Sequence, residues 1–196
     1  MKIFKKLFYL VKFHLMYSYK IRHKNKKIDN YAGLLTFNQT EETIVLPKKL
    51  WMYWENDIPE FVEKCIDRMR EKNPEYEVFV LNPENVNQYS HIDFSQLKDA
   101  TAQQKADLLR FDLMYNHGGI WLDASIILYD RLDWISELMV EKKTANFAYY
   151  RRKNTTNLNF PVLENWLLAS VGHNIFFKQW YEELYLAIQQ TPKKYI

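Results

Sequence analysis

Asp107, Arg110, Asp123 and Ser125 are the residues of this 196-residue chain whose types and spacing suit polar chemistry. Asp107 and Arg110 lie three positions apart in A-Q-Q-K-A-D-L-L-R-F-D-L-M-Y-N-H (102–117), a stretch that reads as a helix. At that spacing they form either a plain ion pair or one polar face offered to a ligand. Asp123 and Ser125 are the polar positions in the apolar run I-W-L-D-A-S-I-I-L (120–128), which reads as a strand buried on both faces. An ionised carboxylate ending a buried strand needs a partner. That partner is a hard divalent cation with a phosphate, a sugar hydroxyl, or neighbouring backbone amides. Other chemistries are excluded. Gly33, Gly118, Gly119 and Gly172 are the whole glycine complement, and they build neither a dinucleotide-binding turn nor a phosphate loop. Cys65 is the single cysteine, so no internal disulfide and no thiolate zinc site can form. The five histidines are scattered without an H-E-x-x-H.

The elements that must position these residues follow from the hydrophobic pattern. Leu50–Trp54 is a short strand. Asp57, Pro59 and Glu60 then suit a helix start with a capping box. Val62, Cys65, Ile66 and Met69 recur at i, i+3, i+4 and i+7, one helical face turned to a core, so Cys65 reads as packing. Asn73-Pro74 stops that helix, and E-V-F-V-L (77–81) is the next strand, giving a β-α-β unit with a parallel pair. The 102–117 helix ends at Gly118-Gly119, a natural left-handed cap, and returns antiparallel to the strand ending at Asp123. Its N-terminal half therefore lies beside that strand's carboxyl end, where open α/β sheets bind ligands. Residues 145–150 and 166–169 read as further strands, and 174–190 as a last amphipathic helix.

Charge divides the chain. Residues 1–27 carry nine Lys/Arg and no acid, leaving residues 28–196 at a formal net charge of −6. A basic leader on an acidic body argues against a nucleic-acid-binding domain. Its longest apolar run, Leu7–Val11, is far short of a membrane span. Residues 1–30 thus read as a basic amphipathic helix for an anionic membrane surface, or as a helix docked on a partner or on the core.

The stretch A-D-L-L-R-F-D-L-M-Y-N-H-G-G-I-W-L-D-A-S (106–125) resembles the signature of glycosyltransferases with a DXD-type sugar-binding region, most of all the bacterial capsular polysaccharide synthesis proteins. L-P-K-K-L-W-M-Y-W (46–54), L-N-P-E-N-V-N-Q-Y (81–89) and E-N-W-L-L-A-S-V-G-H (164–173) follow in that family's order. The resemblance implies a GT-A-like (Rossmann-like) α/β domain over 43–190 with a mainly parallel central sheet. It implies transfer from a nucleotide-diphosphate sugar to a polysaccharide or lipid-linked saccharide acceptor, with retention at the anomeric carbon. The expected location is cytoplasmic, at the inner face of the cell membrane.

By the same resemblance Asp123, Arg110 and Glu164 are the catalytic positions. Trp51, Trp54, Asp107, Arg110, Gly119, Asp123 and Asn165 are the donor-binding ones, with one of the two tryptophans expected in the core. Mn²⁺ or Mg²⁺ falls to Asp123 and Ser125, which departs from the family pattern because a hydroxyl replaces the second acid. Arg151, Arg152 and Lys153 are either a counter-charge for phosphate or a solvated run, and His173 reads as a neighbour of a helix cap. The family continues beyond the last helix seen here, so the expectation is a C-terminally short member. The alternative class is a non-catalytic nucleotide-sugar-binding or assembly protein.

Overall fold

A computed structural model describes residues 33–97 and 100–190. From residue 35 on they belong to a compact unit spanning Leu35–Ile196; the unit Met1–Leu34, with the basic leader, falls outside the described residues but for its last two. The elements run β1 (Lys49–Tyr53), α1 (Glu60–Lys72), β2 (Glu77–Leu81), α2 (Ala102–Asn116), β3 (Gly119–Leu122), α3 (Asp133–Lys142), β4 (Asn146–Tyr150), β5 (Leu163–Ser170) and α4 (Ile175–Gln190). Short 3₁₀ turns stand before α2 and after β4. The sheet order is β2-β1-β3-β5-β4. β1 is parallel to both β2 and β3, while β5 is antiparallel to β3 and β4, so four of the five strands run one way.

Alternation along the strands builds two cores. Leu50, Met52, Ile120 and Leu122 face Val62, Cys65, Ile66 and Met69 of α1 and Ile135 and Met139 of α3. Trp51, Tyr53 and Trp121 face the other way, toward Leu108, Leu109 and Phe111 of α2 and Phe177 and Leu184 of α4. The sheet is thus covered on both sides, which explains why β1 and β3 are almost continuously apolar.

The two glycines before β3 act in different directions. A Cβ on Gly118 (φ +63°) would stand 2.7 Å from the Ser170 carbonyl oxygen; one on Gly119 (φ +93°) would stand 2.6 Å from that of Lys49. Only hydrogen fits, so β3 can wedge between β1 and β5. The Gly118 carbonyl also accepts from Trp51 Nε1 at 2.9 Å.

Three expectations need correction. Asp57 does not cap α1, which starts at Glu60 with Pro59 before it and no side-chain cap; the Asp57 carbonyl instead accepts from Trp54 Nε1 at 3.2 Å. The apolar run after Asp123 is not strand, because a turn closed by Ile126 N–H on the Asp123 carbonyl (3.0 Å) ends pairing and leaves Ile127 exposed. Residues 133–142 form a helix that the sequence reading left unassigned, its start tied to the end of α1 by buried Asn73. That side chain donates to the Met69 carbonyl (2.9 Å) and accepts from Leu132 N–H (2.8 Å).

Gly119→Ala should lower stability by about 1–3 kcal/mol from left-handed strain alone, plus a clash with Lys49. Gly172, also at positive φ, has room for a Cβ, its nearest neighbour being 3.4 Å away. Urea unfolding should therefore rank Gly119→Ala as costlier than Gly172→Ala; equal costs would show that the backbone approach to β1 is not tight.

Candidate functional site

Three segments meet in a cleft of about 260 Å³ at the carboxyl end of β1 and β3. Tyr53, Trp54, Glu55 and Asn56 come from the end of β1, Ala102, Gln103, Ala106 and Arg110 from α2, and Trp121, Asp123, Ala124 and Ser125 from β3 and its turn. α2 is held at its start by a capping box between Thr101 and Gln104, which sets the angle at which its first turns cross the cleft. Lys105 of α2 and Glu55 close an ion pair of 2.5 Å over the same wall.

The centre of the arrangement is Arg110, whose side chain is 4% exposed. Its guanidinium stands 3.2 Å from Asp107 Oδ1 and 3.3 Å from Asp123 Oδ1. It donates to the Asn165 carbonyl at 2.6 Å and lies 4.9 Å above the Trp121 ring. Trp121 Nε1 donates to Asp123 Oδ1 at 2.9 Å, and Asn165 Nδ2 donates to Asp107 Oδ1 at 2.9 Å. Both carboxylates beside the guanidinium are thus themselves hydrogen-bonded, as a buried charge requires. Burial pushes the Asp107 carboxyl above its ordinary value, against the pull of Arg110 and with a push from Asp123. Burial likewise lowers Arg110, and Asp123 and Asp107 oppose it. Two carboxylates on one cation leave the cluster net negative. Asp123 is 37% exposed toward the cleft, placed to accept from a ligand hydroxyl.

The sequence-derived candidates divide sharply. Asp107, Arg110, Asp123 and Asn165 are brought together, with Trp54 and Ser125 on the cleft wall. Trp51 is not available to a ligand: it is fully buried, stacked on Phe79 at 4.1 Å. Gly119 serves the approach of β3 to β1 and not a ligand. Glu164 turns to Arg151, away from the cluster its neighbour Asn165 joins. Arg152 and Lys153 lie exposed in a 3₁₀ turn, and His173 sits at the opposite end of β3, its N–H bonded to the Tyr115 carbonyl. Cys65 is buried in the α1 core.

For a metal, the described residues offer too little by themselves. No group of three or more His, Cys, Asp or Glu among them is placed to hold one. Asp123 Oδ1 is already engaged by Trp121 and Arg110. The described residues alone do not complete a cation site at Asp123 and Ser125.

Residues 4–195 match the family described as capsular polysaccharide synthesis protein. The chain belongs to that family. Over 161 residues this family member is 25% identical to the O-glycosyltransferase braB of Annulohypoxylon truncatum, covering 74% of this chain and 38% of that protein. Over 154 residues it is 24% identical to the glycosyltransferase afumC of Aspergillus fumigatus, covering 69% of this chain and 39% of that protein. The chain thus spans about two-fifths of the length of the curated relatives it matches. Among solved structures, PaToxG Glycosyltransferase superposes with a TM-score of 0.52 at 17% identity, over 76% of this chain and 63% of that one. That likeness is one of fold. The capsular family member is therefore glycosyltransferase-like in sequence and in architecture.

Sequence reasoning missed Trp121, which carries Arg110 on its ring and fixes Asp123 through its N–H. The signal was present: Trp121 is two residues before Asp123, hence on the same face of a strand. Arg110→Met should cost about 3–5 kcal/mol near neutral pH by leaving buried carboxylate charge uncompensated. Without Arg110, Asp107 takes up its proton at still higher pH, so the deficit should shrink between neutral and acidic pH. Urea unfolding at both pH values checks this, and a deficit independent of pH would show that Arg110 acts through packing alone.

Proposed function

We propose that this chain carries the donor site of a retaining, hexosyltransferase-type glycosyltransferase of GT-A-like fold. It moves a sugar from a nucleotide-diphosphate donor to a growing capsular or other surface polysaccharide, or to its lipid-linked precursor. The observation that carries this reading is the convergence of the β1 end, the first turns of α2 and the β3 end on one cleft around Asp123. Its aromatic and small side chains suit a planar base, and its acidic end suits hydroxyl groups.

In the reaction the anomeric C–O bond to the diphosphate breaks with oxocarbenium character, and the leaving phosphate gains negative charge. Asp123 accepts from donor hydroxyls and holds the sugar in register. Arg110 and Trp121 keep that carboxylate aimed, a preorganisation that costs nothing at the moment of reaction. The carboxylates lining the cleft, Glu55 and Asp123, are engaged by Lys105 and by Arg110 with Trp121. Retention at the anomeric carbon is what the family resemblance implies for this site. Asp123 and Ser125 would hold Mn²⁺ or Mg²⁺ only together with the donor, and the ion would then supply positive charge for the diphosphate.

The basic leader supports attachment to an anionic membrane at the cytoplasmic face; among the described residues no helix is long and apolar enough to cross one. Vesicle sedimentation should retain the whole chain and lose it when residues 1–27 are removed; equal sedimentation of both would dismiss this attachment.

Asp123→Ala should weaken binding of a nucleotide-diphosphate sugar roughly 10- to 100-fold, as loss of a charged hydrogen-bond acceptor does. The melting temperature should fall far less than that of Arg110→Met, because Arg110 keeps Asp107 as its partner. Unchanged affinity with a large loss of stability would make Asp123 structural. Binding by the original protein without transfer to any saccharide would select a donor-binding assembly protein instead. In the same calorimeter Mn²⁺ alone should bind weakly, and a nucleoside diphosphate should raise its affinity by the factor by which Mn²⁺ raises the nucleotide's. Tight binding of Mn²⁺ alone would contradict the site as described.

A further inference from the structure

Tyr53 ends β1 on the inner wall of the cleft and is 7% exposed. Its hydroxyl oxygen is buried and, among the described residues, has no hydrogen-bond partner. A buried hydroxyl without a partner is unfavourable. Packing does not explain it, because phenylalanine would keep the edge contact with the Phe94 ring, 6.1 Å between centroids, and discard the liability. The Glu55 carboxylate acts on it electrostatically, yet that carboxylate is held by Lys105 at 2.5 Å. A polar group kept in a wall at a cost is most simply accounted for by what the wall receives.

We propose that the Tyr53 hydroxyl is the specificity hydrogen bond of the donor site, donating to a neutral acceptor on the planar base of the nucleotide. The inference rests on the donor-site reading above. Trp54, the next residue along the chain, lines the cleft with Tyr53 and the neutral amide of Asn56, and an aromatic ring beside amides suits a planar base. Burial, then Glu55, push the phenol up to about 12, so the hydroxyl keeps its proton and acts as a donor to a carbonyl or ring nitrogen across the physiological range. The oxygen is closed to solvent, and a ligand atom meets it only when the adjoining wall gives way slightly. Bases that lack an acceptor at that point leave the donor unpaired and are rejected.

The test is Tyr53→Phe in the full chain, titrated with uridine, cytidine, adenosine and guanosine diphosphates, with melting temperatures measured without nucleotide. The original protein should prefer one or two of the four. The variant should bind the preferred one about five- to thirtyfold more weakly, as loss of one buried hydrogen bond implies, and the others almost as before, while melting no lower. Unchanged affinities would overturn the proposal. An equal loss across all four would overturn it too, placing the contact on the ribose diphosphate that they share. A marked fall in melting temperature would show the hydroxyl to be held within the protein. Failure of the original protein to bind any of the four would overturn the donor-site reading and this inference together, a result distinct from normal binding by both proteins.

Discussion

A guanidinium buried to the degree of Arg110 is tolerable only if its charge and its donors are met on all sides, and this requirement organises the polar half of the molecule. Asp107 meets it from the preceding turn of the same helix, Asp123 from the end of β3, the Asn165 carbonyl from β5, and Trp121 from below with its ring. Each partner is then committed to one rotamer. Asp123 in particular receives two hydrogen-bonding neighbours on one oxygen and presents its remaining surface to the cleft. The aim of the carboxylate therefore derives from the arginine's need, and the cleft is shaped by the same residues that make the interior electrically acceptable.

The alternation of the cores had to be consistent with this. Trp121 and Asp123 share one face of the chain, so the ring can support Arg110 while its N–H holds the acid two residues on. Ile120 and Leu122 point into the opposite core against α1 and α3. A shift of one residue in β3 would send Asp123 into that apolar layer, and the register is set by pairs such as Leu50 with Ile120 and Trp121 with Leu168. The glycine pair ahead of β3 makes this register reachable at the close spacing of its neighbours.

What the sequence showed, and what it concealed, follows from how local each feature is. The β1–α1–β2 unit, the α2 helix with its glycine stop and the meeting of Asp107, Arg110 and Asp123 are legible, since each depends on periodicity and on one short connection. The helix at 133–142 was obscured because Ile135 and Met139 are its only buried apolar residues, too few for a clear stripe. The turn after Asp123 was hidden by the apolar residues that follow it. Glu164 and Asn165 are adjacent in sequence, and nothing local says that one pairs with Arg151 while the other reaches across to Asp107. Trp51 and Trp54 likewise look equivalent until strand alternation sends the first into the core and the strand's end leaves the second on the wall.

The long reach of Asn165 has a consequence in time. It touches Arg110 across 55 positions and Asp107 across 58, and the strand that carries it, β5, is the antiparallel neighbour of β3. On a ribosome, about 55 residues take roughly 3–11 s to add. Once the residues of α2 and β3 have been added, the guanidinium still lacks its carbonyl and one edge of β3 its partner. Non-local contacts of this kind form late because the loop between them must be closed first. Completion of the polar cluster is therefore one of the last events in the folding of this unit, and a nascent chain ending before β5 would hold the motif residues of the cleft without the geometry that makes them a site.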